Sequence, residues 1–387
     1  MSPELECTLG WLERLIAHQT IAGLPNLELI EEIGDFLHEL GATVVIERGV
    51  RDDAQNLYAV LGPADAPGGV MLSAHTDVVD VEGQPWSRDP FKLSLDGNRA
   101  YGRGSTDMKG FIAALLAALE GVDHSRLRRP LWIALSSDEE LGCLGVRPLL
   151  TQLAALDQRP AWALIGEPTS LRAVESHKGK AAIVVEIHGQ AAHSSLPHNG
   201  ANAVAYAGRL INQVLELQAE IKAVQVQDER FRVPYTTLGI GPIRGGVALN
   251  IVPDYCRLEL EIRTLPADAP EQRAATLSGL CAELESELHR EYPQGAVSVT
   301  AASGYPGLSA SANPAVEAEI SAVCATTERH AVDFGTEAGL YQQALGIPVV
   351  VCGPGCMDDA HTADESVALE QLAGANAMLS RLLARLQ

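Results

Sequence analysis

Histidines, aspartates and glutamates recur along this chain at places where they could assemble a metal-dependent hydrolytic centre. His75 and Asp77 close an apolar run, Asp107 precedes an alanine- and leucine-rich stretch, and Glu139 and Glu140 follow a second apolar run. Glu167 sits in Gly166-Glu167-Pro168, and His361 lies in a late loop. Imidazole and carboxylate donors without cysteine suit zinc, cobalt or manganese, and so many carboxylates suit two ions with one shared oxygen donor. Such a pair polarises a carbonyl, acidifies a water and stabilises the oxyanion of an amide or ester under attack. Each piece alone has an ordinary explanation: a cap for His75-Thr76-Asp77, a solvated helix start for the paired glutamates, a turn for Gly-Glu-Pro. Their joint placement carries the reading.

The elements that must position these groups follow from periodicity. Residues 3 to 18 predict a helix with Ser2 as N-cap and Pro3 at the first helical position, and a second helix runs from about Leu27 to Leu40. Ala42 to Glu47 and Asn56 to Leu61 read as strands, and Gly69 to Ser73 as a short buried strand, so that His75 and Asp77 stand just past its end. Leu131 to Leu135 and Trp162 to Ile165 repeat the pattern, delivering Glu139, Glu140 and Glu167, and a strand over Ile347 to Cys352 precedes His361. Strand, acidic turn and helix alternate as in an open α/β sheet, where ligands collect beyond the carboxyl ends of the strands.

Between these segments the texture changes. Lys180 to Gly189, Tyr235 to Ile243, Cys256 to Thr264 and Ala296 to Ala301 read as strands, and Ala201 to Gln218 and Pro270 to Glu291 as helices. That order, βαββαβ, is ferredoxin-like. The expected fold is therefore α/β: a discontinuous open α/β catalytic domain over 1–179 and 303–387, with an inserted ferredoxin-like domain over 180–302.

Composition sets the outer limits. At 387 residues with 47% apolar residues, 4% aromatic residues and 35 glycines, the chain suits a two-domain α/β globule. A formal net charge of −22 argues against nucleic acid and against anionic membrane as partners. Seven scattered cysteines form no C-x-x-C, and Cys352 and Cys356 make only a weak metal pair. The N-terminus is acidic where a signal peptide would be basic, and no apolar stretch reaches a membrane span of ~20 residues. A cytoplasmic enzyme is expected.

The segments Ser73 to Asp77, Gly102 to Gly110, Ser137 to Gly142, Gly166 to Pro168, Ala191 to Pro197 and Gly353 to His361 resemble, in order and spacing, the M20 family of metal-dependent aminoacylases and peptidases. The resemblance implies a di-zinc catalytic domain, with cobalt as a second candidate metal, interrupted by a lid domain through which two chains form a homodimer. Carried over, it implies His75, Asp107 and Glu167 around one metal, and Asp107, Glu140 and His361 around the other, with Asp107 bridging. Glu139 becomes the general base, and a carboxylate beside a ligating glutamate is well placed for that. Asp77 becomes the carboxylate that orients the His75 imidazole, unless it is simply a cap. His193, by chemistry alone a loop histidine, becomes an oxyanion donor acting in the partner subunit's site. Asn250 and Arg263 become contacts to the substrate's carboxylate, although a strand arginine in a salt bridge reads nearly as well.

Within the family, Glu140 to Gly145 and Gly335-Thr336-Glu337-Ala338 are most similar to the branch that removes acetyl from N-acetylornithine, a step that feeds arginine synthesis. The resemblance implies that the backbone of Gly335 and Thr336 holds the substrate's carboxylate and that Glu337 meets a cationic side chain. That branch commonly has cysteine at Gly335, so glycine there is expected to widen the pocket. Succinyl-diaminopimelate desuccinylase, or another acyl-amino-acid or dipeptide hydrolase, is the alternative. A non-catalytic homologue would be expected to lack Glu139 or His361, and both are present.

Overall fold

The protein's structure, a computed structural model, describes residues 1–301 and 304–387, with 302–303 traced only as part of a strand. The expected boundary between 302 and 303 lies outside the described residues. The elements run α1 (Pro3–Ala17), α2 (Leu27–Glu39), β1 (Thr43–Arg48), β2 (Gln55–Leu61), β3 (Val70–His75), β4 (Ser94–Asp96), β5 (Arg99–Tyr101), α3 (Lys109–Glu120), β6 (Leu131–Ser136), α4 (Val146–Ala155), β7 (Trp162–Pro168) and β8 (Val174–His177). They continue β9 (Gly179–His188), α5 (Ala203–Val224), β10 (Thr237–Gly245), β11 (Tyr255–Thr264), α6 (Pro270–Glu291) and β12 (Ala296–Tyr305). The last are α7 (Pro314–Cys324), β13 (His330–Val332), α8 (Ala338–Leu345), β14 (Val349–Gly353), β15 (Ser366–Ala368) and α9 (Leu369–Leu386).

The chain divides into two compact units. The first comprises Met1–Ser176, Leu308–Ala331 and Thr336–Gln387; the second comprises His177–Gly307 and Val332–Gly335.

The first unit is built on an eight-stranded sheet of order β1-β2-β6-β3-β7-β14-β8-β13. Its centre is parallel, β3 pairing with β6 and β7, and β7 with β14. These four strands are buried along their whole length, as expected when helices cover both faces, so they read as continuous apolar runs rather than alternating ones. Helix α3 packs on α1 and α9, while α4 packs on α8 and on β2. Ser2 caps α1 by accepting from Leu5 N at 3.3 Å, with Pro3 where its missing N–H costs nothing. A small sheet of order β15-β5-β4 and helix α8 were not foreseen from periodicity, since all four are short.

The second unit is a four-stranded antiparallel sheet of order β10-β11-β9-β12, with α5 and α6 packed on it. This is the ferredoxin-like arrangement. Alternating burial along β9 and β11 shows one face turned to the helices, where Ile183, Val185, Leu258 and Ile262 meet Leu210, Val214, Leu277 and Leu284. No helix among the described residues is long and apolar enough to cross a membrane.

Candidate metal centre

Parallel pairing of β6, β3, β7 and β14 places four carboxyl ends side by side, and the expected ligands gather at that edge. His75 is the last residue of β3 and Glu167 the penultimate residue of β7, so both belong to strands rather than following them. Glu139 and Glu140 come from the turn after β6. His361 sits farther along, in a turn after β14 with a left-handed φ of 58°.

Asp107 stands between two groups of donors. Its Oδ1 lies 2.9 Å from His75 Nε2, and its Oδ2 lies 3.1 Å from His361 Nε2. The His361 nitrogen is also 3.0 Å from Glu140 Oε1, and His75 Nε2 is 3.9 Å from Glu167 Oε1. The donor atoms of His75, Asp107 and Glu167 fall within 4.8 Å of one another, as do those of Asp107, Glu140 and His361. The fit to two divalent ions is chemical as well as geometric. Oxygen and imidazole donors converge, one aspartate offers an oxygen to each group, and buried carboxylates crowd together where a cation would neutralise them.

The electrostatics express that crowding. Burial disfavours the His75 imidazolium, yet Asp107, Asp77 and Glu167 outweigh it and hold its pKa well above the usual value. Hydrogen bonds to Asp107 and Glu140 raise His361 to about 10. Burial, then neighbouring Asp107, pushes Glu167 well up. Despite burial, hydrogen bonds from His361 and His75 hold Asp107 below the ordinary carboxylate range. Burial, with Glu140 and Glu337 nearby, raises Glu139 to about 8.

Two carboxylates hold the loops that carry these groups. Asp77 was expected to orient His75 through its side chain. Instead, His75 Nδ1 is 2.9 Å from the Asp77 backbone oxygen, and the carboxylate is 3.6 Å away. The Asp77 carboxylate accepts from the amides of Glu139 (3.1 Å) and Glu140 (3.0 Å), on the turn after β6, the parallel neighbour of β3. Glu365, which no motif flagged, does the same for Asp107. Its carboxylate is 1% exposed and accepts from the amides of Gly104 (3.0 Å), Thr106 (2.9 Å) and Asp107 (3.1 Å). Arg103 completes it at 2.7 Å and also binds Gln84, whose amide donates to the His361 carbonyl. Burial raises the Glu365 pKa against these hydrogen bonds.

The turn bearing Glu139 and Glu140 is tightly wound. Asp138 has a φ of 51° and Cys143 a φ of 55°, in the left-handed region, and a Cβ on Gly145 would lie 1.8 Å from the Ser137 carbonyl oxygen.

The other expected site residues fall into two sets. Thr336 and Glu337 belong to the first unit. The Thr336 hydroxyl accepts from Ala338 N at the start of α8. Glu337 is 1% exposed, and burial raises its pKa to about 7 against a hydrogen-bonding pull from Ser136. Its Oε1 has no hydrogen-bond partner among the described residues.

In the second unit, exposed His193 and Asn250 lie together: Ser194 N donates to the Asn250 carbonyl at 3.0 Å, and His193 bridges Ile251. His193 Nδ1 accepts from Ser195 N at 3.2 Å. An amide can only donate, so this contact matches the tautomer that carries its proton on Nε2. Arg263 donates to Glu261 at 2.9 Å and to the Tyr305 hydroxyl at 3.2 Å. A Cβ on Gly335 would lie 2.1 Å from Tyr305 Cε2. Glycine there admits the tyrosine ring and does not widen a pocket, contrary to expectation. Tyr305 carried no sequence signal because it lies at the end of a strand and in no motif.

Two carboxylate–imidazole groups sharing one aspartate, at the carboxyl edge of a parallel sheet, define a hydrolase with a candidate dinuclear metal centre. The chain belongs to Peptidase family M20/M25/M40, which residues 71–385 match. It is 35% identical over 344 residues to the acetylornithine deacetylase of Salmonella paratyphi B, covering 88% of this chain and 86% of that protein. A Sulfolobus solfataricus M20 family metallo-carboxypeptidase shares the fold at a TM-score of 0.77 and 18% identity, covering 99% of each chain. A Bacillus subtilis dinuclear metal-binding peptidase from the M20 family does so at a TM-score of 0.66 and 15% identity, covering 99% of this chain and 98% of that one.

Proposed function

We propose that the protein is a zinc-dependent amide hydrolase that removes the acetyl group from N-acetylornithine, giving ornithine and acetate, with cobalt as an alternative metal. The observation that carries the hydrolytic reading is the Asp107 carboxylate shared between His75 and His361, with Glu139 beside Glu140 on a turn clamped by Asp77. The similarity to an acetylornithine deacetylase over most of the chain supports the substrate. His75, Asp107 and Glu167 would hold one ion, and Asp107, Glu140 and His361 the other. Divalent ions there supply Lewis acidity to the scissile carbonyl and to the attacking water.

The chain's own groups supply the proton traffic and the grip. Glu139 takes the proton of the attacking water and delivers it to the leaving amine. Asn250 and Arg263 bind the substrate's carboxylate. His193 Nε2–H stabilises the oxyanion in the active site of a second copy of the chain. Support for a homodimer comes from the second unit, where edge strand β10 and the residues beyond it expose Ile243, Val247 and Leu249 at 46%, 83% and 100%. An unpaired edge with exposed apolar residues next to His193 and Asn250 suits antiparallel pairing with its own copy. An acidic chain whose seven cysteines are all unpaired suits a cytoplasmic setting.

The test is a specificity-constant panel of N-acetylornithine, N-acetylcitrulline, N-acetylmethionine and N-succinyl-diaminopimelate, run with Glu139→Gln alongside. The reading expects N-acetylornithine to lead, and Glu139→Gln to lose turnover by about 10²–10⁴-fold while retaining metal. Preference for the succinyl substrate would favour the desuccinylase alternative, and a near-normal Glu139→Gln would remove the base. Mixing His193→Ala and Glu139→Ala subunits tests the dimer: activity should return on subunit exchange, and its absence after confirmed exchange rejects a trans-acting histidine.

A further inference from the structure

Cys143 carries no role in the reaction described so far, yet its thiol points at the group doing the proton transfer. Its Sγ lies 3.2 Å from Glu139 Oε1, and the residue is fully buried. The local chain is shaped to make this contact. The amides of Gly142 and Cys143 both donate to the Glu139 carbonyl, at 2.8 and 2.7 Å, closing a turn in which Gly142 and Cys143 have φ values of 97° and 55°. Left-handed backbone favours glycine or asparagine. A cysteine held there pays in strain, and what it gains is a side chain curled back onto Glu139. The thiol forms no disulfide and belongs to neither group of candidate metal donors.

We propose that Cys143 is a positioning residue for Glu139, its S–H donating to Oε1 and fixing the carboxylate in the orientation from which it takes the proton. This rests on the reading of Glu139 as general base. Burial and the Glu139 charge push the thiol pKa well up, so the sulfur keeps its proton and acts as donor rather than nucleophile. A carboxylate carried on three rotatable bonds must otherwise be ordered at each turnover, and an oriented partner removes that cost from the barrier. A serine hydroxyl can make the same bond, whereas alanine or glycine cannot.

The experiment compares metal-loaded full-length Cys143→Ala, Cys143→Gly, Cys143→Ser and Glu139→Gln by kcat, KM, metal content and melting temperature. Glycine suits the positive φ, so Cys143→Gly reports loss of the donor even where Cys143→Ala fails to fold. The expected result is a fall in kcat of about tenfold in the alanine and glycine variants, with KM and metal content unchanged. Serine should recover most of that loss. A kcat within twofold of the parent in the donor-less variants, or a serine variant as slow as glycine, overturns the proposal. If Glu139→Gln is inactive while the Cys143 variants are normal, this inference alone falls. If Glu139→Gln keeps its turnover, the general-base reading falls and takes the inference with it.

Discussion

Replacing Glu365 by glutamine removes one charge and changes one atom, yet the structure makes it a severe substitution. Oε1 accepts from the amides of Thr106 and Asp107, and Oε2 accepts from the amide of Gly104 and from Arg103 Nη1. Whichever way the glutamine amide turns, its NH2 faces two donors, so two hydrogen bonds are lost and the Arg103 guanidinium, 1% exposed, loses its anion. Breaking a buried ion pair from one side costs about 3–5 kcal/mol. Part of that cost falls on the segment that presents Asp107 to both groups of donors, and disrupting the support of a metal ligand lowers affinity by about 10–100-fold. Denaturant unfolding should show a lower midpoint with an unchanged m-value, and chelator competition should show weaker binding of both ions, because Asp107 is common to both groups. Stability within about 1 kcal/mol of the parent and an unchanged chelator titration would refute the reasoning. Weakened binding of one ion alone would show that Asp107 is not shared.

Two other perturbations follow from buried groups in the second unit. His177 is fully buried, with Nδ1 on the Lys178 carbonyl and no hydrogen-bond partner for Nε2 among the described residues; burial lowers its pKa from 6.5 to about 4. A depressed histidine pKa means the unfolded chain binds the proton first, so stability is intact above about pH 6.5 and falls by about 3 kcal/mol as pH drops towards 4. Unfolding free energies measured across that window should fall less steeply in His177→Gln than in the parent, and parallel curves would contradict this. Gly335→Ala places a methyl against the Tyr305 ring, an overpacking that should cost about 1–3 kcal/mol and disturb the Arg263–Tyr305 hydrogen bond. Calorimetry showing an unchanged melting temperature would remove Tyr305 from that space.

The sequence by itself determined what depends on local pattern. Continuous apolar runs marked β3, β6, β7 and β14 because strands buried on both faces have no polar side to alternate with. Capping residues and glycines marked the helix ends, and βαββαβ order marked the second unit. The candidate donors His75, Glu139, Glu140, Glu167 and His361 were legible because each lies at or beyond such a run, and Asp107 because it stands at the head of an alanine- and leucine-rich helix.

Only the tertiary structure decided how those donors are held. Strand order in the sheet, β6-β3-β7-β14, depends on pairing between segments distant in sequence, and it brings the strand ends carrying His75 and Glu167 side by side, while Asp107, on the segment that Glu365 holds, stands between His75 and His361. The supporting contacts were equally invisible. Glu365 reaches Asp107 across 258 residues and Asp77 reaches the Glu139 amide across 62. Tyr305 fills the space beside Gly335, and the Cys143 thiol meets Glu139 from a left-handed turn. Donor chemistry is a property of residue type and is written in the sequence. Orientation is a property of packing, and packing is settled between residues that no local pattern connects.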